Sequence, residues 1–293
     1  MAAVGSYLDA RARGGQWLVR IEDLDPPRER PGAADAILRS LEAFGLHWDG
    51  PVLRQSTRGE AYEAALAQLD ADGRLRSCRC SRSALAALPE NQARPDGEDL
   101  FHPAECLPAP ADAAPGAALR LRVSQYELDF VDRAQGAQHF DAAGLGGDFV
   151  LRRRDGLYAY QLAVVVDDAW QGITDVVRGA DLLTSTPRQL LLQAALGYPT
   201  PTYLHLPLAV DDRGRKLSKS ADDPAVARGA PAKVLAAALE FLRQPPPRDS
   251  AGAGVDELLR WAVAHWRPAA FAGVRAQPAS RVSAEPESRN GNP

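Results

Sequence analysis

Lysine is almost absent from this chain. Its 293 residues include 34 lysines and arginines, but only Lys216, Lys219 and Lys233 are lysines. Two of them lie in the segment KLSKS at 216–220. Arginine favours fixed bidentate contacts, whereas lysine is a mobile point charge on a flexible stem. KLSKS is therefore a candidate polyphosphate-binding loop, although a solvated surface loop is the simpler interpretation of these residues taken alone.

The chain also has few cysteines, and it lacks long apolar runs and an excess of positive charge. No stretch approaches the roughly 18 apolar residues of a membrane span, and no secretory signal opens the chain. The 3 cysteines are too few and odd in number for a disulfide framework, and the net charge of −4 provides no overall basic field for nucleic acid. We therefore expect a cytoplasmic protein without membrane association.

What the chain does contain is an alternation of strand-like and helix-like segments. With 45% apolar residues it can bury a sizeable core, and the alternation predicts an α/β fold built on a parallel sheet. The run from Leu162 to Val166 is typical of a strand buried on both faces. Thr186, followed by Pro187, predicts a helix N-cap.

Composition also suggests how the chain is divided. Three cysteines and several prolines without periodicity mark an inserted, loop-rich subdomain, and the last residues are rich in Ala, Pro, Ser and Arg. We predict a first part of the core at 1–75, the insertion at 76–115, the rest of the core at 116–245, a C-terminal helix at 246–267 and a disordered tail at 268–293.

The insertion carries residues that suit a metal ion. Cys78 and Cys80 form a CxC pair, and the segment HPAEC adds His102 and Cys106. These four residues could supply the nitrogen and sulfur ligands of a tetrahedral zinc ion. The same cysteines could equally be ordinary buried thiols, and the residues alone leave both interpretations open.

Five ordered motifs resemble a known family. KLSKS looks like the KMSKS signature of class I aminoacyl-tRNA synthetases, and the other four resemble the catalytic core of glutamyl-tRNA synthetases over roughly residues 4–235. The resemblance implies a Rossmann-like parallel sheet carrying an inserted subdomain. The four other motifs are RIEDLDPPR at 20–28, QSxR at 55–58, LYAYQLAVVVDD at 157–168 and VVRGADLL at 176–183.

The resemblance also implies roles for individual residues. Glu22 would contact the amino group of substrate L-glutamate, and Tyr160 and Arg178 would complete the amino-acid pocket. Without the resemblance, Glu22 is as well explained by a solvated acidic turn and Tyr160 by core packing. For ATP, the resemblance points to Lys219 as the main catalytic phosphate contact, with support from Lys216 and Ser218.

The short C-terminal part narrows the resemblance to one branch. Only about 70 residues follow Ser220, too few for the anticodon-binding region of a glutamyl-tRNA synthetase. The chain resembles the shortened glutamyl-queuosine tRNA(Asp) synthetases, which use ATP with Mg²⁺ to attach glutamate to queuosine in the anticodon of tRNA(Asp) and are usually monomers. Those relatives carry CxC and Y-x-x-x-C in the insertion, which implies a structural zinc site at Cys78, Cys80, His102 and Cys106, with His102 replacing the tyrosine.

One departure from the family concerns the start of the sequence. The family begins with a strand like FAPSPTG and a HIGH-type motif, and this sequence opens in the helix that should follow them. We expect a start codon assigned too late, and we expect residues 1–293 neither to activate glutamate nor to fold well. Two alternatives stay open: a fragment of an ordinary glutamyl-tRNA synthetase, and a synthetase-like module that binds without catalysis.

Overall fold

The computed structural model describes residues 1–26, 29–92, 100–102, 116–125, 127–211, 213–217, 230–247 and 252–279. Within these ranges, no helix is both long enough and apolar enough to cross a lipid bilayer. The helices are α1 (Ala2–Ala12), α2 (Ala33–Ala43), α3 (Gly59–Ala71), α4 (Arg82–Ala86), α5 (Pro89–Gln92), α6 (Ala142–Leu145), α7 (Tyr160–Gln171), α8 (Thr186–Leu196), α9 (Pro231–Phe241) and α10 (Val255–Ala264). The strands are β1 (Arg20–Ile21), β2 (Leu53–Arg54), β3 (Leu75–Cys78), β4 (Ala118–Leu121), β5 (Glu127–Asp132), β6 (Gly136–Asp141), β7 (Phe149–Arg152), β8 (Asp175–Gly179), β9 (Thr202–Leu206), β10 (Leu208–Val210) and β11 (Ala276–Pro278).

Parallel strand pairs form the framework, as the α/β prediction requires. In the four-stranded sheet the order is β6-β5-β9-β8, with β9 parallel to both β5 and β8 and the hairpin strand β6 antiparallel at one edge. β1 pairs in parallel with β2, and β10 with β11. A separate antiparallel sheet, β3-β4-β7, lies next to the insertion. The α/β fold class is confirmed.

Two apolar cores hold these layers together. The first packs α1, α9 and α10 around β9, and the second packs α3, α7 and α8 against the antiparallel sheet. A buried carboxylate belongs to the first: Asp9 on α1 accepts two hydrogen bonds from Arg133 (2.6 and 2.8 Å) and one from Trp266 Nε1 (2.9 Å). Asp9 is 1% exposed, so these bonds compensate the burial of its charge.

The prediction of a strand at Leu162–Val166 is wrong, because these residues lie in α7. All five are buried, since this part of α7 packs against α3, α8 and β7. A helix that is apolar all round gives the same continuous run as a strand buried on both faces. Tertiary packing thus overrides the strand preference of the three consecutive valines, and Gly172 ends the helix at φ 67°.

The ends of α8 differ in their agreement with the sequence. Gly197 ends the helix in the left-handed conformation, as such a glycine commonly does. Thr186 was predicted to cap the N-terminus, but Ser185 precedes the first helical residue and makes no side-chain capping bond. Thr186 is itself helical, and its hydroxyl instead accepts a hydrogen bond from Arg178 at 2.8 Å.

Residues 268–279, predicted to be the start of a disordered tail, are ordered. A 3₁₀ turn at Pro268–Phe271 buries Phe271 completely, and β11 then pairs with β10 in register from Leu208–Ala276 to Val210–Pro278. The strand β11 was not predicted because this segment contains few apolar residues. Backbone pairing with β10 stabilises it instead. Residues 280–293 lie outside the described part of the chain.

Candidate functional site

A cleft of about 900 Å³ opens between α1, the segment around β1, the end of α7 and β8. Three residues predicted to bind L-glutamate line it: Glu22, Tyr160 and Arg178. Glu22 directly follows β1, Tyr160 is the first residue of α7, and Arg178 lies near the carboxyl end of β8. The fold therefore brings together side chains that are far apart in the sequence, at strand ends where α/β proteins bind ligands.

Arg178 is buried, with 8% exposure, and every N–H of its guanidinium has an acceptor. None of these acceptors carries a charge, so among the described residues no carboxylate contacts the guanidinium directly. The bonds go to Gln189 Oε1 (2.8 Å), Thr186 Oγ1 (2.8 Å), His205 Nε2 (3.1 Å), the Tyr160 hydroxyl (3.3 Å) and the Leu182 carbonyl (3.3 Å). Burial raises the pKa of Tyr160 against the opposing effect of Arg178, so the phenol stays protonated.

Charged groups also surround Glu22. Arg20 Nη2 lies 3.7 Å from Glu22 Oε1, while Arg20 Nη1 donates to Asp168 Oδ1 and Gln171 Oε1, both at 2.8 Å. Burial raises the pKa of Glu22, and Arg20 opposes the shift. The pKa of Asp168 is raised for the same reason and opposed by the same arginine. This wall of the cleft thus combines two carboxyl groups with one shared cation.

Asp167, the neighbour of Asp168, points away from the cleft and ties the QSxR motif to α7. Its side chain is fully buried. Asp167 accepts hydrogen bonds from Gln55 Nε2 (3.0 Å), Arg58 Nε (3.0 Å) and the Tyr62 hydroxyl (2.7 Å). The consecutive aspartates therefore serve two sites, one structural and one in the cleft.

The described part of the KLSKS loop contacts the turn that follows β8 and the strand β10. Lys216 forms an ion pair with Asp181, and the Leu217 N–H donates to the Ala209 carbonyl at 2.9 Å. Ser218 and Lys219, both predicted to bind ATP, lie outside the described residues. Lys216 is therefore the KLSKS lysine whose position near the cleft is defined.

The predicted metal ligands are partly assembled. One ligand atom from each of Cys78, Cys80 and His102 lies within 4.8 Å of the others, and Cys78 Sγ is 2.9 Å from His102 Nε2. Cys78 is the last residue of β3. The backbone N–H of His102 donates to the Gly146 carbonyl at 3.2 Å, which fixes the position of His102. Cys106, the fourth predicted ligand, lies outside the described part of the chain. Two sulfur atoms and an imidazole at this spacing fit a tetrahedral zinc ion.

Several residues of the site were not predicted from the sequence. Arg20 and Asp168 lie within the recognised motifs RIEDLD and VVVDD. Their closeness in sequence to Glu22 and Tyr160 could therefore have indicated that they belong to the site. His205 has none in the sequence, since a histidine in YLHLPL is also typical of a sheet interior. Its partner Asp132 lies 73 residues away, a separation that only the fold bridges.

Comparison with known proteins identifies the family. The family model for the catalytic domain of class I tRNA synthetases (E and Q) matches residues 1–230. A glutamyl-Q tRNA(Asp) synthetase of Pseudomonas aeruginosa is 54% identical over 266 residues, which cover 91% of this chain and 87% of that protein. Proteins of the same name from Pseudomonas fluorescens and Chromobacterium violaceum are 49% identical over 283 residues (97% and 91% of the two chains) and 53% identical over 264 residues (90% and 87%).

Solved structures support the same fold. A glutamate-tRNA synthetase from Elizabethkingia anophelis superposes with a TM-score of 0.73 at 23% identity, covering 96% of this chain and 65% of that one. This chain therefore spans slightly less than two thirds of that synthetase. With a family model matched over most of its length and relatives about half identical to it, the chain belongs to the class I tRNA synthetases of the E and Q type, a family of ligases.

Proposed function

We propose that this chain binds L-glutamate in the cleft and activates it with ATP for transfer to queuosine in tRNA(Asp). One observation carries the first part: a carboxylate, a phenol and a buried guanidinium, which no carboxylate of the described residues contacts, line one cleft. An amino acid offers the complementary groups, since its ammonium suits Glu22 and a carboxylate suits Arg178. The phenol of Tyr160 supplies a further neutral hydrogen-bonding group.

Activation joins glutamate to the AMP part of ATP. A carboxylate oxygen of glutamate attacks the α-phosphorus of ATP, the new O–P bond gives glutamyl-adenylate, and the bond to the β-phosphate breaks to release pyrophosphate. The chain contributes by fixing the substrate and stabilising the charge that develops on the phosphates. We assign Lys219 as the main phosphate contact, assisted by Lys216 and Ser218. Mg²⁺ enters with ATP and is coordinated mainly by phosphate oxygens.

Transfer then uses a hydroxyl of the queuosine ring, which attacks the activated carboxyl and releases AMP. The names of the relatives support this acceptor, because proteins about half identical to this chain are called glutamyl-Q tRNA(Asp) synthetases. We further propose that the protein acts as a monomer in the cytoplasm, where ATP and tRNA are available.

We propose a structural zinc site in the insertion. The donor set fits: Cys78, Cys80 and His102 bring sulfur and nitrogen within one ion's reach, and Cys106 is the expected fourth ligand. Four protein ligands would leave no open coordination position, so the ion would stabilise the insertion and take no part in catalysis.

Direct binding tests the first part of the proposal. Calorimetric titration of residues 1–293 with L-glutamate should show binding that Arg178→Lys weakens, because lysine cannot give a bidentate contact. L-Glutamine should bind more weakly if Arg178 engages the side-chain carboxylate and comparably if it engages the α-carboxylate. Absence of any glutamate binding by the unaltered chain would contradict the proposed pocket.

Activation and transfer need separate assays. Glutamate-dependent ATP–pyrophosphate exchange should be measured with residues 1–293 and with the chain extended by any in-frame codons upstream. Charging of queuosine-containing tRNA(Asp) rather than tRNA(Glu) would support the proposed acceptor, and the reverse preference would favour an ordinary glutamyl-tRNA synthetase. No exchange by either chain would favour a binding module.

A further inference from the structure

A row of three polar residues crosses the four-stranded sheet behind the cleft. Asp132 ends β5, His205 lies in β9 and Arg178 lies in β8, and these strands are neighbours in that order. Arg178 and His205 are direct register partners. Asp132 pairs with Tyr203, two residues before His205 on the same strand. The side chains therefore form a continuous line from the sheet interior to the cleft.

The hydrogen bonds in this row fix the protonation of the histidine. Arg178 Nε–H donates to His205 Nε2 at 3.1 Å, and a guanidinium has no acceptor, so Nε2 carries no proton. The proton of the neutral imidazole is then on Nδ1, which donates to Asp132 Oδ2 at 2.6 Å. The row thus consists of a cation, a neutral ring and an anion. Asp132 balances the charge of Arg178 without touching it, because the imidazole of His205 lies between them.

Asp132 is itself held in place. Its Oδ1 accepts from the backbone N–H groups of Ala134 at 2.9 Å and Gln135 at 2.8 Å, in the turn between β5 and β6. Burial alone would raise the pKa of Asp132, but these bonds and the one from His205 lower it overall, so the carboxylate stays ionised. The side chains of Asp132 and His205 are both fully buried, which leaves no water to compete for the bonds.

We propose that His205, oriented by Asp132, is a positioning residue that fixes the Arg178 guanidinium for a carboxylate ligand. His205 accepts from Nε, whereas the other acceptors contact the outer nitrogens, so the His205 bond can hold the guanidinium plane while a ligand carboxylate takes over the outer nitrogens. The inference rests on the proposed function insofar as the ligand is L-glutamate. If His205 Nε2 carried a proton, two N–H donors would face each other, and the guanidinium plane of Arg178 would turn away from the ring.

The remaining polar neighbours agree with this role. Thr186 Oγ1 lies 3.3 Å from His205 Nε2 and 2.8 Å from Arg178 Nη2, so it bridges the two side chains. Tyr203 stacks on the His205 ring at 6.1 Å between centroids with 9° between the planes. Burial lowers the pKa of His205, Arg178 acts in the same direction, and Asp132 opposes both. The ring is therefore neutral when the site operates near neutral pH.

Two substitutions of His205 make a matched test. In His205→Gln the amide oxygen can take the place of Nε2 and accept from Arg178. In His205→Asn the shorter amide can replace only the Nδ1 donor to Asp132. We expect His205→Asn to weaken L-glutamate binding about tenfold or more, the usual effect of losing a buried bond to a charged group, and His205→Gln to stay within about threefold. Gln244→Leu, which removes buried bonds to the Leu242 and Arg267 carbonyls just after α9, controls for lost stability and should leave affinity unchanged.

A second readout does not depend on the ligand. In ¹⁵N-labelled protein the Arg178 Nε–H signal, assigned by its loss in Arg178→Lys, should exchange slowly in the unaltered chain and in His205→Gln, and faster in His205→Asn. The His205 ring should show a protonated Nδ1 and a bare Nε2. Equal exchange rates in the two variants, or a protonated Nε2 in the unaltered chain, would overturn the proposal. If the unaltered chain bound no glutamate, the proposed function would fail. The Arg178 Nε–H exchange rates and the His205 ring signals would then decide by themselves whether His205 positions Arg178.

Discussion

Lys216 and Asp181 form an ion pair that joins the first lysine of KLSKS to the turn following β8. Both side chains are partly exposed, and an ion pair of this kind contributes about 0–1 kcal/mol. Phosphate oxygens can therefore replace Asp181 as the partner of Lys216 at little cost. In the proposed function, the pair is a resting contact, and Lys216 exchanges Asp181 for a nucleotide phosphate.

Removing the competing carboxylate should strengthen nucleotide binding. Asp181→Asn leaves Lys216 without its anionic partner, and we expect ATP affinity to rise by up to about fivefold, the equivalent of about 1 kcal/mol. Fluorescent-nucleotide displacement measures this. Asp155→Asn, which removes the exposed partner of Arg153, is the control and should change nothing. Weaker ATP binding in Asp181→Asn would mean that the carboxylate orients Lys216.

Glutamate affinity should fall as the solution is acidified. Glu22 binds an ammonium group only when ionised, and burial raises its pKa above the ordinary value of 4.5, with the nearby acids Asp168 and Asp167 acting in the same direction and Arg20 and Arg178 opposing the shift. Protonation therefore begins at a higher pH than for an exposed glutamate. Titrations from pH 7.5 down to 4.5 should show the loss, and Glu22→Gln should bind weakly with little of this dependence. An unchanged profile in Glu22→Gln would remove Glu22 as its source.

Zinc content should depend on the residues of the predicted site. His102→Ala and Cys78→Ser each remove a ligand from the assembled cluster, so we expect less bound metal by elemental analysis and a lower melting temperature. His139→Ala is the control, because His139 is exposed and pairs with Asp129. Stoichiometry unaffected by His102→Ala would exclude that ligand. The same measurement on Cys106→Ser reports on the fourth position.

Asp167 should be among the residues most sensitive to truncation. Asp167→Ala leaves the half-buried Arg58 guanidinium, the buried Gln55 amide and the buried Tyr62 phenol without their acceptor, and removal of one partner from a buried charged pair costs up to about 3–5 kcal/mol. Urea unfolding measures the loss. The isosteric Asp167→Asn keeps part of the network and should lose less. A cost below about 1 kcal/mol for the alanine variant would mean that water replaces the carboxylate.

The sequence predicted the parts of this site that lie in local motifs. Glu22, Tyr160 and Arg178 were found because each occupies a short recognisable pattern, and the cleft then brings them together. The Leu162–Val166 segment was assigned to a strand because periodicity cannot separate a buried strand from a helix covered on all sides. His205 and Asp132 were missed because their relation depends on strand order, which no local pattern encodes.

The C-terminal strand should contribute measurably to stability. Ending the chain after residue 267 removes β11 and the buried Phe271, and we expect a loss of about 3–5 kcal/mol, similar to truncation of a core phenylalanine. Ending it after residue 279 removes none of the described structure and is the control. Chemical denaturation of both products decides the point. Equal stability would mean that β10 does not need its partner.

The three bonds to Asp9 have a consequence for synthesis of the chain. Arg133 lies 124 residues and Trp266 lies 257 residues from Asp9. During translation, therefore, the carboxylate of α1 has to remain hydrated until Arg133, a little less than halfway along the chain, has left the ribosome, because its burial without partners is unfavourable. The nascent first helix stays undocked over that interval and is exposed to chaperones, and its core closes only once the last helix has emerged.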